Sequence, residues 1–211
     1  MYLHFTNPFI HRLFPHFTWR VPTAEKVIFL TFDDGPIPEV TPWVLAELGK
    51  YEAKATFFCV GDNIRKHFSV FEEVIAKGHS VGNHTFNHLS GWKTPKKQYL
   101  GNIDRCEDYF AHLPKTKDSP RKLFRPPYGQ ISASQSRALK TDYRIVMWDV
   151  LSGDFDQRLN EHICLEKAIR YTQNGSIVVF HDSQKAKKNL YYALPRYLSY
   201  FSKQGFRFEK L

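Results

Sequence analysis

The feature that most constrains the fold is a repeated alternation of short apolar strands with amphipathic helices. Hydrophobic periodicity predicts strands at 26–32, 55–60, 79–83, near Phe124, and at 144–150, 176–180 and 206–210; it predicts helices at 38–50, 62–75, 95–111, 132–140, 160–171 and 186–202. Repeated strand–helix units favour a parallel sheet covered by helices, either as an open sheet or as a barrel. A chain of 211 residues is short for a complete eight-fold barrel.

Polar side chains stand where the predicted strands end. In chain order they are Asp33 with Asp34, His84, Arg125, Asp149 with Asp154 nearby, and His181. The carboxyl ends of parallel strands gather on one side of the sheet, and this is where α/β folds place their functional groups. We therefore expect a functional site on that side.

Three residues at or near these strand ends have the chemistry of metal ligands. His84 and His88 are four residues apart, so one helix face or one tight turn brings both to a single ion, and Asp34 offers a carboxylate. Two histidines and one carboxylate leave a coordination position for water, as in catalytic metal sites. The spacing alone is equally compatible with two independent loop histidines, and Asp-Asp-Gly is also typical of a turn.

Five segments together resemble a known family. TFDDG at 31–35, HTFNH at 84–88 and RPPYG at 125–129 resemble the first three motifs of the polysaccharide deacetylases, the NodB-homology enzymes of carbohydrate esterase family four. The segment from Trp148 to Asp154 resembles the fourth motif, and IVVFH at 177–181 resembles the fifth. The resemblance implies an α/β fold, namely a deformed (β/α) barrel of the NodB-homology type with fewer than eight regular repeats. We predict that residues 25–211 form this catalytic domain and that residues 1–24 form an extension packed on or beside it.

The resemblance also implies metal-dependent hydrolysis of an N-acetyl group from an N-acetylhexosamine-type unit. Carried over by position, the metal ligands are Asp34, His84 and His88; the catalytic residues are Asp33 as general base beside Arg125, and His181 as general acid beside Asp154. Two histidines and one aspartate suit Zn²⁺, with Co²⁺, Mn²⁺, Ni²⁺ or Fe²⁺ as alternatives. The residue types fit the chemistry, because a metal acidifies bound water and a histidine titrates near neutral pH.

Four further residues are expected to meet the substrate. The resemblance implies that the backbone N–H of Tyr128 stabilises the oxyanion and that Phe155 and Val179 line the acyl pocket. At these last two positions the family usually has tryptophan and leucine, so the preferred acyl group or sugar is open. Trp92 is expected either to stack on a sugar ring or to pack locally.

The net charge and the hydropathy of the N-terminal residues limit the partners and the location that we expect. The chain has 30 Lys plus Arg against 21 Asp plus Glu, a formal net charge of +9. The basic residues form only small patches, so we do not expect nucleic acid as a partner, and the positive charge favours an anionic or lipid-linked form of the carbohydrate substrate that the resemblance implies. Residues 1–20 lack the continuous apolar core of a secretory signal, which predicts a cytoplasmic location or a peripheral one on the inner membrane face.

The apolar side chains of the extension allow two interpretations. Leu3, Phe5, Phe9, Ile10, Leu13 and Phe14 are expected to pack against the neighbouring sheet, with an amphipathic membrane anchor as the alternative. The sequence leaves the oligomeric state open.

Other functions compatible with the sequence are removal of an acetyl or formyl group from a lipid-linked or precursor sugar, and non-catalytic glycan binding on the same fold. A metalloprotease is excluded, because Thr85 stands where such a site needs glutamate.

Overall fold

A computed structural model describes residues 3–110 and 121–211. Its strands are β1 Val27–Asp33, β2 Ala55–Cys59, β3 Ser80–Asn83, β4 Lys122–Phe124, β5 Tyr143–Ile145, β6 Val150–Leu151, β7 Ile177–His181 and β8 Arg207–Phe208. Its α-helices are α1 Pro8–Leu13, α2 Val40–Gly49, α3 Gly61–Lys66, α4 Phe68–Ala76, α5 Lys96–Glu107, α6 Ala133–Leu139, α7 Glu161–Tyr171 and α8 Lys187–Lys203. Within the described ranges, no helix has the length and apolar character needed to cross a membrane.

The strands form one parallel sheet in the order β5-β4-β3-β2-β1-β7-β6, and β8 joins the amino end of β1. The N-terminal segment contacts both edges of the sheet. Phe5 bridges to Val150 in edge strand β6, and Thr18 bridges to Val146, which directly follows edge strand β5. The sheet is therefore a curled half-barrel whose seam is bridged by the extension. The predicted deformed barrel with fewer than eight regular repeats is confirmed.

Alternate residues of the central strands face opposite sides. In β7, Val178 and Phe180 join the large apolar core between sheet and helices, which also contains Leu30 and Phe32 of β1. The neighbouring position Ile177 belongs to a smaller cluster with Phe58. Because both faces are covered, β1 reads as a continuous apolar run, as buried parallel strands do. Its last residue, Asp33, is then delivered to the carboxyl edge.

The extension is attached by backbone hydrogen bonds and by the buried Trp19, but not by most of the apolar side chains that were expected to pack on the sheet. Phe5 does stack on Tyr171, with ring centroids 5.3 Å apart. However, α1 contains no buried residue, and four of the side chains expected to pack on the sheet are exposed: Leu3, Phe9, Leu13 and Phe14. That expectation was wrong for these four, because α1 stands outside the sheet edges that residues 4–6 and 18–20 occupy.

Two predicted elements were also wrong. The helix expected over 62–75 is two helices, α3 and α4, which meet at His67, a residue with a non-helical backbone conformation. Asp62 was expected to cap this helix, but Val60 is the cap residue of α3. The Asp62 carboxylate instead binds Arg65 at 2.9 Å. The strand expected over 144–150 is β5 and β6, separated by four residues. The helix predicted for 95–111 is α5, and Ala111 lies outside the described residues.

Candidate active site

Asp34, His84 and His88 converge at the carboxyl end of the sheet. One potential ligand atom from each lies within 4.8 Å of the others. The Asp34 Oδ1 atom is 3.1 Å from His88 Nε2 and 3.8 Å from His84 Nε2. Asp34 follows β1 and His84 follows β3, while His88 lies in the loop beyond, so the pair forms a turn and not a helix face.

The hydrogen bonding of His84 suits this cluster to a cation. Its Nδ1–H donates to the Arg125 carbonyl oxygen at 2.7 Å, which fixes the proton on Nδ1. Burial lowers the pKa of His84 to about 4, so the ring is neutral and its Nε2 lone pair faces the Asp34 carboxylate. Burial would raise the pKa of Asp34, but the hydrogen bond from His88 and the nearby imidazoles hold it well below its usual range. Two electron-pair donors facing each other are stabilised by a positive ion between them.

The backbone that presents these ligands is held in an uncommon conformation. Asp34, Thr85, His88 and Tyr128 all have positive φ, at 81°, 61°, 54° and 60°. Such angles are costly for residues with a side chain and are found where surrounding contacts impose them. Here the side chain of Asn63 donates to the Asp34 carbonyl at 2.7 Å, which ties this turn to α3.

The histidine loop is fixed in the same way by two asparagines. The Asn83 side chain accepts the Thr85 N–H at 2.9 Å, and the Asn102 side chain on α5 accepts the N–H groups of Phe86 and Asn87, both at 2.9 Å. Asn102 thereby satisfies two backbone donors in a loop without regular structure. The ligand spacing is thus set by contacts from outside the motif.

Asp33 is a buried carboxylate bound to a buried arginine. Arg125 donates to Asp33 Oδ1 and to the Thr31 hydroxyl, both at 2.7 Å, and to the carbonyl oxygens of Val146 and Met147 at 3.3 and 3.0 Å. Its guanidinium also lies 4.1 Å from the centre of the Phe58 ring. Four acceptors and a flat aromatic neighbour fix the fork of Arg125, which in turn holds the Asp33 carboxylate in one orientation.

His181 stands beside Asp33 and is paired with Asp154. His181 on β7 and Asp33 on β1 are register neighbours in the sheet. The His181 Nδ1–H donates to Asp154 Oδ1 and its backbone N–H to Asp154 Oδ2, both at 2.8 Å. Burial alone would lower the pKa of His181, but the Asp154 carboxylate outweighs it and raises this pKa to about 9. The imidazole is held protonated, with Nε2 directed away from Asp154.

The four residues predicted to contact the substrate lie at different places around the site. Phe155 packs edge-on against His181 with centroids 4.9 Å apart, and Val179 is fully buried two residues before His181 on the same side of β7. Tyr128 is exposed, and its hydroxyl lies 3.1 Å from His88 Nδ1. Trp92 is exposed in the short 3₁₀ helix Gly91–Lys93, and the Gly91 N–H donates to the Gln130 carbonyl at 3.0 Å.

Asp149 does not belong to this site, although we grouped it with the strand-end residues. Its carboxylate accepts the Ile177 N–H and the Ser176 hydroxyl, both at 2.9 Å, at the amino end of β7. The reason is the break between β5 and β6, which returns the chain to that end of the sheet. Burial raises the pKa of Asp149 to about 6.

Sequence reasoning overlooked Asp182. It is buried, accepts the Gly35 N–H at 3.0 Å and the Thr41 hydroxyl at 2.6 Å, and has its pKa raised to about 8 by burial. A Cβ on Gly35 would lie 1.9 Å from Asp182 Oδ2, so only glycine fits there. Asp182 therefore ties the turn that carries Asp34 to the strand that carries His181. Its position directly after His181 was the available signal.

Fold and site define a class: a half-barrel hydrolase with a three-ligand metal-type cluster flanked by a carboxylate and a histidine. Comparison with known proteins is consistent with this. The family described as "Polysaccharide deacetylase" matches residues 20–146. A peptidoglycan-N-acetylglucosamine deacetylase of Bacillus cereus is 33% identical over 193 residues, covering 90% of this chain and 89% of the relative.

Two further proteins show the same relationship. The peptidoglycan-N-acetylmuramic acid deacetylase PdaC of Bacillus subtilis is 31% identical over 77% of this chain, which spans 33% of that relative. A crystal structure of the Bc1960 peptidoglycan N-acetylglucosamine deacetylase matches with a TM-score of 0.86 and 27% identity, covering 98% of this chain and 95% of that one. The chain belongs to the polysaccharide deacetylase family and is a hydrolase that removes acetyl groups from carbohydrate.

Proposed function

We propose that this enzyme uses one divalent metal ion, Zn²⁺ by preference, to deacetylate N-acetylglucosamine units of a peptidoglycan-type glycan. The observation that carries the proposal is the placement of Asp33 and His181 as register neighbours beside the Asp34, His84 and His88 cluster. The names of the relatives support the glycan class. Acetyl groups on N-acetylmuramic acid are the alternative substrate.

The proposed metal ligands are Asp34 and the Nε2 atoms of His84 and His88. A cation bound there supplies polarisation of the acetyl carbonyl and acidification of water. Zn²⁺ is proposed because two imidazoles and one carboxylate are ligands that it prefers. The proton on His84 Nδ1 and the Tyr128 hydroxyl beside His88 keep both rings oriented toward Asp34.

The two flanking residues divide the proton transfers. Asp33, held in place by Arg125, takes a proton from the attacking water as the new carbon–oxygen bond forms. His181, held protonated by Asp154, gives its Nε2 proton to the leaving amine as the carbon–nitrogen bond breaks. The products are acetate and a glucosamine unit. We assign oxyanion stabilisation to the backbone N–H of Tyr128 and the acetyl pocket to Phe155 and Val179.

The test is acetate release from N-acetylglucosamine oligomers and from isolated peptidoglycan, with the protein stripped of metal and reconstituted with each candidate ion. We expect release that depends on the ion and that Asp33→Asn abolishes while bound zinc stays at one per chain. Asp62→Asn is the matched control, since it changes a surface carboxylate on α3 that binds Arg65 and Lys66. Its activity should equal that of the wild type.

Two outcomes would contradict the proposal. Glycan binding without acetate release under any ion would indicate a binding protein. Faster release of formate from N-formylated sugars than of acetate would assign the Phe155 pocket to a smaller acyl group.

A further inference from the structure

We propose that residues 3–17 form a docking surface for an anionic lipid bilayer. Leu3, Phe9, Leu13 and Phe14 have 65%, 64%, 57% and 45% of their surface exposed. They are four of the nine exposed large hydrophobic side chains among the described residues, and all four fall within twelve consecutive positions. A concentration of exposed apolar side chains of this kind marks an interaction surface rather than ordinary surface variation.

This surface is a fixed protrusion and not a loose terminus. On one side, Thr6 N–H donates to the Asp149 carbonyl and Leu151 N–H to the His4 carbonyl, both at 2.9 Å. On the other side, Met147 N–H donates to the Thr18 carbonyl at 2.8 Å. Both ends of the segment are therefore anchored to the barrel, so its apolar side chains are presented with little conformational entropy left to lose on binding.

The helix between these anchors is braced from the protein side. The Trp19 indole N–H donates to the Phe14 carbonyl at 3.0 Å, and the Trp19 ring stacks on His11 at a centroid distance of 5.3 Å. Trp19 is buried, so it joins the protrusion to the body of the protein. The side chains of Phe9 and Leu13 on this helix remain exposed.

The charge around the patch selects an anionic surface. Residues 1–24 contain no Asp or Glu, whereas Arg12 is exposed beside Leu13 and the whole chain carries a net charge of +9. A second copy of this chain docked on the same patch would place equal positive charges together. A glycan would offer hydroxyl groups to the aliphatic chains of Leu3 and Leu13. A bilayer containing anionic lipid matches both properties, because it accepts apolar side chains below a negative headgroup layer.

The experiment is sedimentation of the full chain with phosphatidylcholine vesicles, with and without about a third phosphatidylglycerol. We expect binding to the anionic vesicles, weakened at high salt, and a loss of at least about tenfold in the double variant Phe9→Ser, Leu13→Ser. The double variant Phe68→Ser, Ile163→Ser is the matched control, because it makes the same change in exposed apolar residues on α4 and α7. It should bind as the wild type does.

Arg12→Glu separates the electrostatic part of the binding. It should reduce binding to the anionic vesicles. Thermal melting and acetate release from a soluble oligosaccharide should be unchanged in Phe9→Ser, Leu13→Ser and in Arg12→Glu, because α1 has no buried residue.

Three results would overturn the inference: no binding of the wild type to anionic vesicles, equal loss in the matched control, or a dimer in solution that Phe9→Ser, Leu13→Ser dissociates. The last result would assign the patch to a second copy of the chain.

Discussion

The charge on His181 is the property on which the proposed acid step depends most directly. Asp154 accepts two hydrogen bonds from His181, and it is fully buried, so its charge is poorly screened by water. Replacing it by asparagine keeps the shape and removes the charge. Burial, which lowers the pKa of an imidazole, is then opposed at His181 only by the smaller effects of the Asp34 and Asp33 carboxylates.

The expected size follows from the two pKa values. In the wild type the pKa of His181 is raised to about 9 from its ordinary 6.5, and in Asp154→Asn we expect 6.5 or less. A change of about 2.5 units corresponds to roughly 3 kcal/mol in the preference for the protonated form. At pH 8 the protonated fraction would fall from about nine-tenths to about one-thirtieth, so acid-dependent turnover at that pH should fall by about thirtyfold.

The assay is a pH titration of isotope-labelled histidine by NMR in the metal-free protein, with the His181 signal assigned from a His181→Gln variant. Ser152→Ala is the matched control: it removes the hydroxyl that donates to Asp154 Oδ1 at 3.0 Å but leaves the carboxylate. We expect it to move the pKa of His181 by about half a unit or less. A pKa in Asp154→Asn within about one unit of the wild-type value would refute the reasoning.

Stability gives the same effect a second readout. A folded-state pKa above the unfolded value stabilises the protein fully below the unfolded pKa, and this contribution is lost as the pH rises through the folded pKa. The difference in unfolding free energy between wild type and Asp154→Asn should therefore be greatest below about pH 6.5 and shrink as the pH approaches about 9.

Three other substitutions test the surroundings of the site. Tyr128→Phe removes the hydroxyl beside a ligand histidine, so the zinc dissociation constant measured by chelator competition should rise by about tenfold. Gly35→Ala places a Cβ 1.9 Å from Asp182 and should lower the urea-unfolding free energy by about 2 kcal/mol, whereas Gly101→Ala on α5, with no atom within 4 Å, should raise it by about 0.5 kcal/mol. Phe155→Trp enlarges the side chain packed on the imidazole and should change the ratio of acetate to formate release from matched sugars by at least about threefold.

The sequence could predict the parts of this fold whose signal is local. β1 and β7 are buried on both faces, so they are continuous apolar runs ended by polar residues, and both were located to within one residue. The break at His67 has no such signal, because apolar residues recur at helical spacing on both sides of it. The same holds for 144–150, where an uninterrupted strand-like run contains the turn between β5 and β6 and so misplaces Asp149.

The backbone geometry of the site is harder still to predict from the sequence. Its residue types are recognisable from short motifs, but four of the six non-glycine residues with positive φ in the described chain lie in it. A strained backbone of this kind costs roughly 1 to 3 kcal/mol per residue, and threonine, with its branched Cβ, is poorly suited to it. The cost is offset by partners remote in sequence, such as Asn63, Asn102 and Asp182, which hold the loops from α3, α5 and the end of β7. The ligand geometry therefore depends on the complete barrel, and the motif residues transplanted onto an unrelated loop would relax to ordinary backbone angles and separate.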